Sequence, residues 1–450
     1  MMKQERQAYA VLGALLLIAV GYMNWNSWGN GGGAGFQIPI PWLQPRMGFI
    51  GRNGTQFIDL ESGKPVYING WNSYWLMSSE KRKWVSEMLR RGREMGLTVC
   101  RTWAFSDGGP KALQLFPGHY DEQVFQALDY AIYEARRNHV RLILCLLNNL
   151  NAFGGKDQYV RWAQEAGFNV NTSSDAFFSF DVIRGYFKDY IDAILTRRNT
   201  YSGVRYCDEP AIFAWELMNE PRCVFKSSAP ILQDWIIDMS SHIKSIDKKH
   251  LVTIGLEGFY GPGRTERLEY MHILIAGWWP YPTDLFLVVL AGISLKWNTF
   301  VLSVFFTAKK MTLCFMLRIP KASLEEKVRY LSSWVDSHVN DSQNILNKPV
   351  LFLEFGSNLR AKKNGTYERD VLLKVVYDKV YESAKKGQAG AGALLWQLMV
   401  GGMQKYHDEF SLVAWEHPST YKLMVQQSCR LLRLFQRKES IGKSCLKLQP

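Results

Sequence analysis

Two carboxylates sit where chemistry is often done, directly after apolar runs that read as buried strands. Ile212-Phe213-Ala214-Trp215-Glu216-Leu217 leads into Met218-Asn219-Glu220-Pro221, and Val350-Leu351-Phe352-Leu353 leads into Glu354-Phe355-Gly356. One carboxylate after a strand is ordinarily a surface charge or a helix cap. Two at the ends of separate buried strands suit glycoside hydrolysis, which needs a proton donor with a raised pKa and an anion on the opposite face of one bond. No metal-ligand cluster, phosphate loop or nucleotide fingerprint accompanies them, so this chemistry calls for no cofactor.

The elements that must position these groups alternate along the chain. Strand-like runs at 65–70, 97–103, 140–146, 212–217, 251–255, 350–353 and 393–396 are separated by helical stretches at 80–95, 121–138, 177–197, 231–246 and 367–386. Strands apolar on both faces and spaced by helices imply a parallel sheet covered on both sides. Seven are countable, and an eighth closes a (β/α)₈ TIM barrel, whose functional residues project from the carboxyl ends of its strands. Strands four and seven then lie on roughly opposite sides of the ring. Glu220 and Glu354 would face each other across the mouth at the roughly 5–5.5 Å of a retaining mechanism.

The interval 264–320 breaks the rhythm. It holds Leu285-Phe286-Leu287-Val288-Val289-Leu290 and Phe300-Val301-Leu302-Ser303-Val304-Phe305-Phe306, which could be read as a membrane span. Lys296 and Asn298 between the two runs make a span expensive. Strand six belongs in this interval, yet no run in it reads as a barrel strand, and its origin as a foreign insertion is one explanation.

Longer motifs carry a family likeness. Trp215-Glu216-Leu217-Met218-Asn219-Glu220-Pro221 resembles the acid/base signature of glycoside hydrolase family 5, and Leu351-Phe352-Leu353-Glu354-Phe355-Gly356 its nucleophile signature. Tyr67-Ile68-Asn69-Gly70-Trp71-Asn72-Ser73-Tyr74-Trp75-Leu76, Arg101-Thr102-Trp103-Ala104-Phe105, Gly255-Leu256-Glu257-Gly258-Phe259-Tyr260-Gly261 and Tyr406-His407-Asp408-Glu409-Phe410 are similar to segments of the plant endo-β-1,4-mannanases within it. The resemblance implies Glu220 as general acid/base and Glu354 as nucleophile in a retaining double displacement. It implies Asn219 on the substrate 2-hydroxyl, Arg101 holding the nucleophile ionised, Trp396 as the platform under a sugar and Trp75 as a further substrate contact. Glu216 reads as a buried partner and Glu257 as a residue near the cleft. The family's His-x-Tyr motif at strand six is absent, since the interval's histidine, His272, is followed by Ile273-Leu274.

The substrate so implied is a mannan, glucomannan or galactomannan. A β-1,4-glucanase of the same clan is one alternative, and a catalytically impaired carbohydrate-binding protein, motivated by the missing motif, is another.

Composition frames this reading. The 450 residues are 47% hydrophobic, 21% charged and 14% aromatic, which excludes a mainly disordered chain. The formal charge of +13 would suit nucleic acid or anionic surfaces, but its excess gathers at 309–321 and 430–447, away from the proposed cleft. No nucleic-acid partner is therefore expected, and the sequence leaves the oligomeric state open. Lys3 to Arg6 followed by an apolar run to Met23 reads as a signal peptide or signal anchor over 1–23, with a linker at 24–47, a catalytic domain at 48–425 containing the anomalous 264–320, and a basic tail at 426–450. A secreted, extracellular or cell-wall location follows, with membrane anchoring in the secretory pathway through the amino terminus as the alternative. Among the seven cysteines, Cys207 and Cys223 flank strand four as a possible bridge, whereas Cys100 and Cys145 read as core.

Overall fold

The computed structural model describes residues 44–223, 229–256, 300–305, 323–356, 365–408 and 410–434. Eight parallel strands close a barrel: β1 Ile68–Asn72, β2 Val99–Trp103, β3 Arg141–Cys145, β4 Ile212–Glu216, β5 Leu251–Thr253, β6 Phe300–Phe305, β7 Val350–Phe355 and β8 Gly390–Leu395. The ring shuts where β8 pairs with β1, Gly392 beside Ile68 and Leu395 beside Trp71.

The sixth position is filled, which corrects the expectation that nothing in 264–320 plays it. Phe300 and Val301 pair with Val252 and Thr253 of β5 on one side, and Leu302 to Phe305 run beside β7 on the other. The run is apolar and rich in Phe and Val, as a strand inside a parallel sheet requires. A strand paired on both edges is also incompatible with a membrane span over the same residues. Among the described residues no helix is long and apolar enough to cross a membrane. From Phe300 to Ser323 the sequence contains neither histidine nor tyrosine, so the strand is present without the motif.

Side chains divide by the two-residue period of the strands. Ile68, Val99, Ile143, Phe213, Leu251, Leu351, Leu353 and Leu394 fill the barrel interior, where Ile50 and Phe57 join them. These two belong to the antiparallel pair Ile50–Asn53 and Gln56–Asp59, and the Phe57 ring meets Phe213 edge-on at 5.2 Å. This end of the barrel is thus closed by packing. The outward faces of the strands pack against the helices in a larger cluster that includes Trp71, Leu142, Trp215 and Phe352.

Local signals set the helix ends. Asp121 accepts from the backbone N–H groups of Gln123 and Val124 to start Glu122–Arg137, and Ser323 with Glu326 forms a reciprocal capping box for Leu324–Asp341. The last helix, Pro418–Arg433, runs past the boundary expected at 425 because its inner face is needed. Asn69 Nδ2 donates to the Met424 carbonyl and to Ser428 Oγ, at 3.0 and 2.8 Å, and Leu431 packs with Tyr67. The expected signal segment 1–23 and the rest of the basic tail from 435 lie outside the described residues. Cys207 carries an unbridged, buried thiol, so the bridge to Cys223 is not formed; Cys100 and Cys145 are core residues as expected.

A buried polar network ties β4 to the segment that precedes β5. Asp247 Oδ2 accepts from Trp215 Nε1 at 2.7 Å and lies 2.6 Å from His250 Nδ1, while Oδ1 accepts from the Lys249 and His250 amides. His250 Nε2 faces the Glu209 carbonyl at 2.9 Å, and Lys244 Nζ donates to the carbonyl of His250. Burial alone would raise the Asp247 carboxyl, but the hydrogen bond and charge of His250, with the Trp215 N–H, hold it below the usual carboxylate range. A depressed folded-state pKa contributes stability above the unfolded value that is lost as pH falls toward the folded one. Asp247→Asn is therefore expected to cost about 2–3 kcal/mol near neutral pH, read by thermal unfolding, with the gap to wild type shrinking below about pH 4. A pH-independent gap would contradict the assignment.

Candidate active site

At the carboxyl ends of the strands one guanidinium organises the mouth of the barrel. Arg101, in the middle of β2, is completely buried. Its Nε and Nη2 donate to the two oxygens of Glu216 at 2.7 Å each, a bidentate fork across to β4. Nη1 donates to Glu354 Oε1 at 2.6 Å and to Asn72 Oδ1 at 3.2 Å, and Nη2 also donates to Asn219 Oδ1 at 2.9 Å. These contacts engage all five donors of the group and join the tips of strands one, two, four and seven. Burial alone would lower the Arg101 pKa, but Glu216 first and Glu354 second hold it above the usual range. The residue acts through Glu354 and Asn219 and has no surface of its own to offer a substrate, which corrects its expected place among substrate contacts.

Glu354 reaches Arg101 through an irregularity. Leu351 and Leu353 both face the barrel interior, so strict alternation would turn Glu354 outward. The β6–β7 register instead steps from Val304–Phe352 to Phe305–Glu354. The extra residue turns Glu354 inward and leaves Phe355 in the outer cluster. Asn72 steadies the same tip by donating from Nδ2 to the Leu353 and Leu395 carbonyls.

Glu220 is held by a strained turn. Its φ is +56°, a conformation side chains other than glycine seldom adopt and one that collects at functional sites. The turn is fixed from both neighbours: Asn219 N–H donates to the Leu147 carbonyl at 2.8 Å, Asn149 N–H to Asn219, and Glu220 N–H to Gly255 at 3.1 Å. Gly255 is required here, since a Cβ on it would stand 2.0 Å from the Met218 carbonyl oxygen. Arg222 Nη2 meets Glu220 Oε2 at 3.1 Å, and both carboxylates of the expected pair are almost wholly buried.

An aromatic wall flanks these groups. Trp396, half-buried, stacks on Tyr74 at 6.0 Å and 11° between planes, and meets Trp103 at the same separation. Its Nε1 donates to Asp408 Oδ2 at 2.8 Å, fixing the ring's orientation. Phe153, more than a third exposed, approaches Tyr74 edge-on. Trp75 does not belong to this wall. It is fully buried, with Nε1 on the Leu398 carbonyl and its ring beside Tyr406, so the expected substrate contact is corrected to a core residue.

The structure thus brings Arg101, Glu216, Asn219, Glu220 and Glu354 to one end of the barrel, with Trp396 directly after strand eight beside them. Glu257 lies outside the described residues. Asn72, Tyr74, Asp408 and Arg222 were not singled out as site residues from the sequence. Asn72 and Arg222 had a signal, since each follows a strand tip or sits two residues from a proposed site carboxylate. No group of three or more His, Cys, Asp or Glu side chains able to hold a metal occurs among the described residues.

Known proteins resemble this chain over most of its length. A family model described as GH family 5 beta-mannosidase-like matches residues 47–274. A mannan endo-1,4-beta-mannosidase 5 of Arabidopsis thaliana is 46% identical over 390 residues, covering 86% of this chain and 87% of the relative. This chain belongs to glycoside hydrolase family 5. A second family member, mannan endo-1,4-beta-mannosidase 2 of Oryza sativa subsp. japonica, is 47% identical over 85% of this chain and 84% of its own. Among solved structures, the endo-beta-1,4-mannanase of Thermotoga petrophila superposes with a TM-score of 0.66 at 27% identity, over 82% of this chain and 78% of that one. That of Rhizomucor miehei gives 0.66 at 25%, over 86% and 99%.

The fork on Arg101 can be tested directly. Lysine keeps the charge but cannot serve two carboxylates and two amide oxygens at once. Arg101→Lys is expected to lower the unfolding free energy by about 2–4 kcal/mol, because buried acceptors lose their donors. Chemical denaturation measures it, and an unchanged midpoint would show that the network is dispensable.

Proposed function

We propose that this chain hydrolyses β-1,4-mannosidic linkages within mannans, glucomannans and galactomannans, as an endo-acting enzyme with net retention. The observation that carries the reading is Arg101, which pairs with the strand-tip carboxylate Glu354 and bonds Asn219, the residue before Glu220 on its strained turn. The names of the relatives at 46 and 47% identity supply the substrate class. In this reading Glu354 attacks the anomeric carbon while Glu220 delivers a proton to the departing glycosidic oxygen. Glu220 then takes a proton from water as that water releases the sugar from Glu354. Arg101 keeps Glu354 anionic through charge and a short hydrogen bond. Asn219 serves the 2-hydroxyl, its side chain being held by both Arg101 and Asn148. Trp396 provides an apolar face for the sugar beside the scissile bond, with Asp408 fixing its tilt. The reaction needs no cofactor in this scheme. The charged start and apolar run at the amino terminus support entry into the secretory route and a secreted or wall location.

A β-1,4-glucanase and a binding protein of impaired activity are the competing readings. The latter gains from β6, whose residues 300–305 carry no histidine or tyrosine to flank the carboxylates. Reducing-end release from mannan and from cellulose separates the three. The proposal expects release from mannan, lowered by about 10⁴-fold or more in Glu354→Ala with the fold intact. Preference for cellulose would favour the glucanase, and mannan binding without release would favour the binding protein.

A further inference from the structure

A buried lysine underlies the loop that carries Glu220, and the chemistry described so far gives it no role. Lys156 opens the helix Lys156–Glu165 that follows the strand-three loop, and is only 3% exposed. Its Nζ donates to the Arg222 carbonyl at 3.0 Å. Asp175 Oδ1 is 3.8 Å away, beyond hydrogen-bonding reach, and the Phe178 ring lies 4.9 Å below the ammonium. Asp157, Arg222 and the Cys223 thiol are the other titratable groups that face it. Burial pulls the Lys156 pKa below its usual range, only partly offset by Asp175. A cation in the first turn of a helix also opposes the helix dipole. A long apolar side chain would fill the same space without either cost, so the head group is what the position uses.

That head group contacts the loop that carries the proposed proton donor. The strand-three and strand-four loops are joined at three further points. Asn219 N–H donates to the Leu147 carbonyl, Asn219 Nδ2 to Asn148 Oδ1, and Asn149 N–H to the Asn219 carbonyl. Lys156 Nζ adds the outermost tie, on the backbone of the residue whose guanidinium pairs with Glu220.

We propose that Lys156 is a positioning residue for Glu220: by holding the Arg222 carbonyl it fixes both the turn that aims the carboxyl and the guanidinium that faces it. The proposal rests on reading Glu220 as the proton donor. Lys156→Met keeps the stem and deletes the head group, Lys156→Arg keeps the charge, and Lys156→Gln supplies a donor if the methionine variant does not fold. Two substrates discriminate: mannopentaose, whose leaving sugar needs a proton, and a dinitrophenyl β-mannobioside, whose leaving group does not. The full chain carrying Lys156→Met is expected to lose about 10- to 100-fold in kcat on mannopentaose and about threefold or less on the dinitrophenyl substrate. The alkaline limb of its pH–rate profile should move to higher pH, as in Arg222→Met, because a carboxyl that loses a neighbouring cation keeps its proton longer. Lys156→Arg should recover most of the rate. Equal losses on both substrates, or an unmoved alkaline limb, would overturn the proposal, and so would a wild-type chain that turns over neither. Glu220→Ala isolates the underlying reading. If it spares mannopentaose, Glu220 is not the donor and the proposal falls with it. If it shows the selective loss and Lys156→Met does not, the positioning role alone fails.

Discussion

Everything at the mouth of this barrel depends on one desolvated guanidinium. Arg101 could not be carried into the interior without anions to meet it, and Glu216 and Glu354 could not be carried there without a cation. The three therefore stand or fall together, with Asn72 and Asn219 using the remaining donors. Such a network fixes a geometry more firmly than apolar packing, because each displacement leaves a buried charge unpaired. In the proposed reaction this pairing favours the anionic form of Glu354 before any substrate arrives. The two sides of the proposed displacement are built differently: Glu354 is gripped by charge, and Glu220 is aimed by backbone.

Much of this was readable from the residues. The alternation of apolar strands and helices places seven barrel strands within a few residues of where they form, since strands buried on both faces leave a strong hydrophobic signal. Glu220 and Glu354 stood out because carboxylates after such runs need an explanation. Other features had no local signature. The register step that turns Glu354 inward arises from pairing with β6, a partner remote in sequence. Trp75 and Trp396 are both tryptophans beside strand tips, and only the packing of Tyr406 and Leu398 over one of them decides that it is core. Strand six was hidden by the unusual chain around it: an apolar run flanked by another apolar run does not announce a barrel strand.

The sixth strand also separates architecture from chemistry. A parallel barrel asks of this position only that it pair on both edges and offer apolar side chains, and Phe300–Phe305 does so. The fold is therefore complete while the strand contributes no imidazole or phenol. Arg222 pairs with Glu220, and Lys156 holds the Arg222 carbonyl. Among the described residues, the loops of strands three and four are thus stitched to one another around Glu220, the proposed proton donor.

The central claim is that Glu354 forms a covalent glycosyl-enzyme. A 2-deoxy-2-fluoro mannosyl fluoride slows the release of such an intermediate, so incubation followed by peptide mapping by mass spectrometry reads the attacking residue directly. A single fluoromannosyl adduct is expected on Glu354, in the peptide that spans β7. Label on Glu216 or Glu220, or inversion of the anomeric configuration in the first product without any adduct, would contradict it.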